Sequence, residues 1–226
     1  MTEGDSRDFN IGAKNSSSDI SESNSDSDDD MIGLGNFDMV ASDIVRLPAK
    51  SITSEIAQIK KGEHSVLVYP DLQAFRQVYP NFCKKMLDDN DIVVCLTYYE
   101  PVDNVLEQLA HTGIDTDRHR RQGNLIVADA VEEFFGKQKD FLLFLLTLER
   151  KVKKLGKNCV SVVVSMSVFH LYDKEEEMIE YEGLLDMSEA RNWRVLCCYH
   201  QGDYNRLSEQ LKQELLSRHN RRLFVI

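Results

Sequence analysis

The stretch KKGEHSVLVYPDLQAF, Lys60–Phe75, decides the fold. Ser65 to Tyr69 is a short, continuously apolar run, which reads as a strand buried on both faces. Asp71 follows as a helix N-cap, and an amphipathic helix runs on to Leu87. The turn between them is only Pro70 and Asp71. Nucleotide-binding folds place a glycine-rich loop at such a turn, because successive backbone N–H groups must wrap the phosphates. This turn has no such cradle.

The same alternation continues outward. Further strands are read at Asp91–Tyr99, Leu125–Ala130, Cys159–Ser167, Arg194–His200 and Arg221–Ile226. Helices are read at Val102–Ala110, Phe134–Leu155, Lys174–Ala190 and Leu207–Ser217, and Gly156 supplies a C-terminal stop. Continuous apolar strands alternating with helices imply a three-layer α/β domain. Its mostly parallel sheet has about six strands and carries helices on both faces.

The flanks differ in composition. Of 226 residues, 42% are apolar and the formal charge is −11. Residues 1–30 hold nine acids against Arg7 and Lys14, so most of the charge lies there. Residues 1–45, which include NSSSDISESNSDSDDD, have almost nothing to bury and read as a disordered acidic tail, dispensable for folding. MIGLGNFDMV within it is either a docking segment or a linker. The folded domain is assigned to 46–226. Neither part offers the basic field that non-specific nucleic-acid binding needs. The longest apolar run, FLLFLLTL from Phe141, is far short of the ~20 residues that span a bilayer. Five cysteines, an odd number, follow a polar N-terminus, so a reduced, cytoplasmic setting is expected.

Ligands in parallel α/β sheets bind outside the carboxyl ends of the strands. That rule nominates Tyr69, Tyr98–Glu100, Asp129, Ser165–Ser167 and Tyr199–His200; His64 opens its strand at the other end. Neither G-x-x-x-x-G-K-[ST] nor G-x-G-x-x-G occurs, and no G-x-S-x-G elbow is present, so no enzyme activity is expected. CCYH at Cys197–His200 lacks a second ligand pair and reads as core, with no metal site and no cofactor. Glu180 and Glu182 read as the solvated face of a helix. DTDRHRRQGN, with Arg118, Arg120 and Arg121, reads as a solvated turn.

Taken in order, GEHSVLVY, GIDTDRHRRQGNLIVADA, VVVSMS, YEGLLD and LCCY resemble the MEDS domain. That sensory domain is named from methanogens, methylotrophs and the dichloromethane-responsive regulator DcmR. The matching positions are Gly62, His64, Tyr69, Gly113, Ile114, Asp115, Gly123, Leu125, Glu182, Cys197 and Tyr199. Val164, Ser165 and Met166 stand where many members carry Gly-Glu-Met. The resemblance implies a RecA/KaiC-like core without a working phosphate loop, in an archaeal or bacterial protein. It implies a stand-alone sensor of a small molecule, such as a simple hydrocarbon derivative. The implied signalling partner is a histidine kinase or a transcription regulator; a homodimer is a separate expectation. Its ligand site would draw on His64, Tyr69, Glu182, Cys197 and Tyr199. A degenerate nucleotide-binding protein or residual enzyme, and a pure interaction scaffold, are the alternatives.

Overall fold

The computed structural model describes residues 43–136, 141–186 and 191–226; residues 1–42 of the acidic tail, with its docking or linker segment, lie outside them. Among the described residues seven strands form one sheet: β1 Ile44–Leu47, β2 His64–Tyr69, β3 Ile92–Thr97, β4 Leu125–Asp129, β5 Val160–Ser165, β6 Trp193–His200 and β7 Arg221–Val225. Their order is β1-β7-β2-β6-β5-β3-β4, and every pairing is parallel. The expected three-layer domain is present. It gains one strand, β1, which pairs with β7 as Ile44↔Arg222 and starts inside the segment assigned to the tail. Four residues with Arg46 among them carry too weak an apolar signal to read as a strand, and β7 supplies the missing partner.

Eight α-helices cover the faces among the described residues: α1 Ala49–Ile56, α2 Leu72–Asp88, α3 Val102–His111, α4 Thr116–Arg121, α5 Phe141–Lys154, α6 Glu175–Asp186, α7 Gln201–Arg206 and α8 Glu209–Ser217. Side chains alternate across each strand, so every strand feeds two cores. Val66, Val68, Val162, Cys197 and Tyr199 pack with Leu148, Met178, Ile179 and Leu216, from α5, α6 and α8. Leu67, Tyr69, Val163 and Cys198 pack on the other face with Ile52, Val78, Phe82 and Leu109, from α1, α2 and α3. DTDRHRR forms α4, capped by the Asp115 carboxylate, which accepts from Arg118 N–H.

The β2–α2 turn closes as the sequence implies. Asp71 caps α2, its carboxylate accepting from Ala74 N–H at 2.8 Å. An anionic side chain thus occupies the helix N-terminus, the position where a bound phosphate would have to lie. Asp71→Ala should cost about 1 kcal/mol, lowering the thermal midpoint by roughly 2–4 °C in a domain of this size. An unchanged midpoint in a melting curve would show that the cap contributes nothing.

Candidate functional site

Two places stand out, on opposite faces of the sheet. The first is a polar cluster inside the α6/α8 core. β2 and β6 run side by side with His64 opposite Val195, Val66 opposite Cys197 and Val68 opposite Tyr199. His64, Cys197 and Tyr199 therefore project to one face. Glu182 of α6 points down onto them, fully buried. His64 Nε2 lies 2.8 Å from Glu182 Oε2 and 3.2 Å from Cys197 Sγ. The Cys197 thiol donates to Glu182 Oε2 at 3.2 Å, and the Tyr199 hydroxyl donates to Oε1.

A fifth member, His219, escapes sequence reading. It lies in the turn between α8 and β7, within the polar string SRHNRR. Reciprocal bonds bring it in: His64 N–H donates to Asn220 Oδ1 at 2.7 Å, and Asn220 N–H donates to the His64 carbonyl at 2.8 Å. The His64 and His219 rings then sit 4.0 Å apart, tilted by 41°. His219 Nδ1 donates to the Leu215 carbonyl at 2.6 Å, which assigns the ring proton to Nδ1. Its Nε2 faces Glu182 Oε2 at 3.3 Å without making a hydrogen bond.

Electrostatics follow from burial. Desolvation alone would raise the Glu182 pKa, but the adjoining His219 and His64 outweigh it and hold the carboxyl below its usual range. Burial, reinforced by Glu182, pushes the Cys197 thiol and the Tyr199 phenol up, so both stay protonated beside the carboxylate. Four groups here, His64, Glu182, Cys197 and His219, offer ligand atoms within 4.8 Å of one another.

The CCYH reading is resolved by the same alternation. Cys197 joins the cluster, whereas Cys198 enters the opposite core with Cys83 and Cys95. His200 caps α7, its Nδ1 accepting from Gly202 N–H at 3.1 Å. The solvated-helix reading holds for exposed Glu180 and fails for Glu182, which packing has turned inward.

The second place is a cleft at the carboxyl ends of β2, β3 and β5. It contains Tyr69, the one member of the ligand site implied by the family resemblance that the cluster does not include. His64 and Tyr69 are five residues apart on one strand, so they project to opposite faces. The Tyr69 and Phe75 rings stack 4.3 Å apart, and Tyr98 and Tyr99 meet at 4.6 Å. With Leu72 and Val105 these rings line a narrow cleft, open to solvent at the mouth, with free room of about 10 Å³, roughly that of one water. Glu100 is buried at the floor and bonded by Arg76 through Nε and Nη2, each at 2.8 Å. The Tyr99 hydroxyl donates to Asp203 and ties the rim to α7. Burial pushes the Tyr69, Tyr79 and Tyr99 phenols up, so the walls stay uncharged. Tyr69, Tyr98–Glu100 and Ser165 were nominated by the strand-end rule; Asp129 and Tyr199 do not line this cleft.

Comparison with known proteins places the chain. No curated protein matches it. A KaiC-like protein from the hyperthermophilic archaeon Pyrococcus horikoshii aligns over 70% of this chain and 69% of its own, at 18% identity and a TM-score of 0.48. A second Pyrococcus horikoshii protein, solved in complex with an unknown peptide, aligns over 77% and 82%, at 12% identity and a TM-score of 0.56, a likeness of fold alone. Residues 63–220 match the model of the MEthanogen/methylotroph, DcmR Sensory domain, a span that includes both the polar cluster and the cleft. The chain belongs to the MEDS family of sensory domains.

Proposed function

We propose that this chain is a non-catalytic sensory module that takes a small, mainly apolar molecule into the cleft beside Tyr69. The module passes its state to a protein partner in a reduced, cytoplasmic setting. The observation that carries it is the cleft itself: uncharged aromatic walls, at the carboxyl ends of parallel strands, with a few buried polar groups at the floor. The free room, about 10 Å³, is that of roughly one water, so an occupant of a few heavy atoms, such as a simple hydrocarbon derivative, enters by parting the aromatic side chains. Membership in a sensory family supports the regulatory role. Five buried, unpaired cysteines accord with a reducing compartment. Asp71 at the start of α2 argues against phosphate chemistry.

The test is a thermal-shift panel of dibromomethane, short alcohols and phenol. A binder at about a hundred times its Kd stabilises by about 2.7 kcal/mol, a rise of roughly 5–10 °C. Leu72→Trp fills the cleft from the first turn of α2 and should abolish the rise. No rise with any probe, or an equal rise in Leu72→Trp, overturns the assignment. ATP hydrolysis by the purified chain above a no-protein control would favour the residual-enzyme alternative instead.

A further inference from the structure

We propose that His64 Nε2, Glu182 Oε2, Cys197 Sγ and His219 Nε2 form a closed tetrahedral site for a divalent cation of the zinc class. The proposal is independent of the cleft, which lies on the other face of the sheet.

Spacing supports it. Metal–nitrogen and metal–oxygen bonds of about 2.0 Å, with a metal–sulfur bond of about 2.3 Å, give a tetrahedron with edges of roughly 3.3–3.5 Å. Four of the separations here are 2.8, 3.2, 3.2 and 3.3 Å. The other two, from His219 Nε2 to His64 and to Cys197, lie within 4.8 Å, so the centre forms when His64, Glu182 and Cys197 part by a few tenths of an ångström and the His219 ring swings inward.

His219 supplies the most specific observation. Its Nδ1 proton is committed to the Leu215 carbonyl, so in the neutral ring Nε2 carries a bare lone pair. That lone pair faces a carboxylate oxygen, also an acceptor, at 3.3 Å and makes no hydrogen bond. Two buried acceptors face each other stably only when a proton or a cation lies between them. A backbone carbonyl holding the far nitrogen is also what orients a metal-ligating imidazole. Tyr199 does the same for the carboxylate: it occupies Oε1 and leaves Oε2 turned toward the centre.

Charge and softness agree. All four residues are almost completely buried, at 2% exposure or less, so the loaded site must be close to neutral. A divalent cation with one thiolate, one carboxylate and two neutral imidazoles sums to zero. One thiolate with two imidazoles and a single carboxylate suits zinc or cobalt rather than calcium or magnesium. Loading expels two protons to solvent, one from the Cys197 thiol and one from the imidazole–carboxylate contact, in exchange for one dication. Such burial couples loading to folding.

The full chain should therefore be unfolded, stripped with a chelator and refolded with Co(II). The expected result is one cobalt per chain, with the strong visible absorption of tetrahedral Co(II) and a near-ultraviolet thiolate-to-cobalt band. Cys197→Ser should remove the thiolate band, and Cys198→Ser should leave it intact. Tyr199→Phe, which keeps all four ligands, should weaken affinity about 10–100-fold. Should Cys197→Ser fail to refold, X-ray absorption of the zinc-loaded wild type decides: one sulfur and three nitrogen or oxygen neighbours are expected. A natively refolded wild type without stoichiometric cobalt, a thiolate band that survives in Cys197→Ser or vanishes in natively folded Cys198→Ser, or a zinc shell with no sulfur or with two overturns the proposal.

Discussion

Glu182→Ala should lower the thermal midpoint by roughly 6–20 °C, from a loss of about 3–5 kcal/mol at 2–4 °C per kcal/mol. Glu182 is the common acceptor for Tyr199, Cys197 and His64 in a site with no access to water. Its removal leaves those groups buried without their partner, and each such group costs about 1–3 kcal/mol. The loss should depend on pH in a stated sense. The folded-state pKa of Glu182 is depressed, so its ionisation contributes stability that is fully present above the unfolded-state value of about 4.3. That contribution fades as pH falls below 4.3 toward the folded value. The gap between wild type and variant should be widest at neutral pH and narrow in acid. Denaturant melts at several pH values check this. A gap that is small at pH 7, or that widens in acid, would remove Glu182 from the centre of the cluster.

Trp193→Ala should cost a similar amount, about 3–5 kcal/mol, but without that pH dependence. Trp193 is the largest fully buried side chain, at the start of β6. The Arg191 guanidinium lies 5.7 Å from its ring, and its carbonyl accepts from Gly62 N–H at 2.8 Å. Truncation leaves a cavity between sheet and helices and loses dispersion contacts, neither of which titrates. Parallel melts of Trp193→Ala and Glu182→Ala thus separate packing from electrostatics. A Trp193→Ala loss below about 1 kcal/mol, or one that follows pH as Glu182→Ala does, would contradict this division.

The layers of the fold were legible because β2, β3 and β5 are continuous apolar runs, a pattern that only two-sided burial explains. β1 was not, because IVRL is short, abuts the acidic segment and takes its stability from β7. The candidate sites were legible by halves. Family resemblance nominated His64, Glu182, Cys197 and Tyr199, and the structure brings them together. Tyr69 separates from them by strand parity, a property that the five-residue spacing from His64 already contains. Glu182 is one of five glutamates on α6, and only the packing of that helix selects it for burial. His219 had no local signal at all. Its position depends on β7 lying beside β2, a pairing between segments more than 150 residues apart.

The central claim, a small-molecule sensor whose input lies at the carboxyl ends of the strands, is tested most directly by a crystal of the full chain soaked in dibromomethane. Bromine scatters anomalously, so the probe reports its own position. The account predicts a bromine peak between the Tyr69, Phe75 and Tyr98 rings in wild-type crystals and none there in Leu72→Trp crystals. An empty cleft in the wild type, or bromine confined to other parts of the molecule, would contradict it.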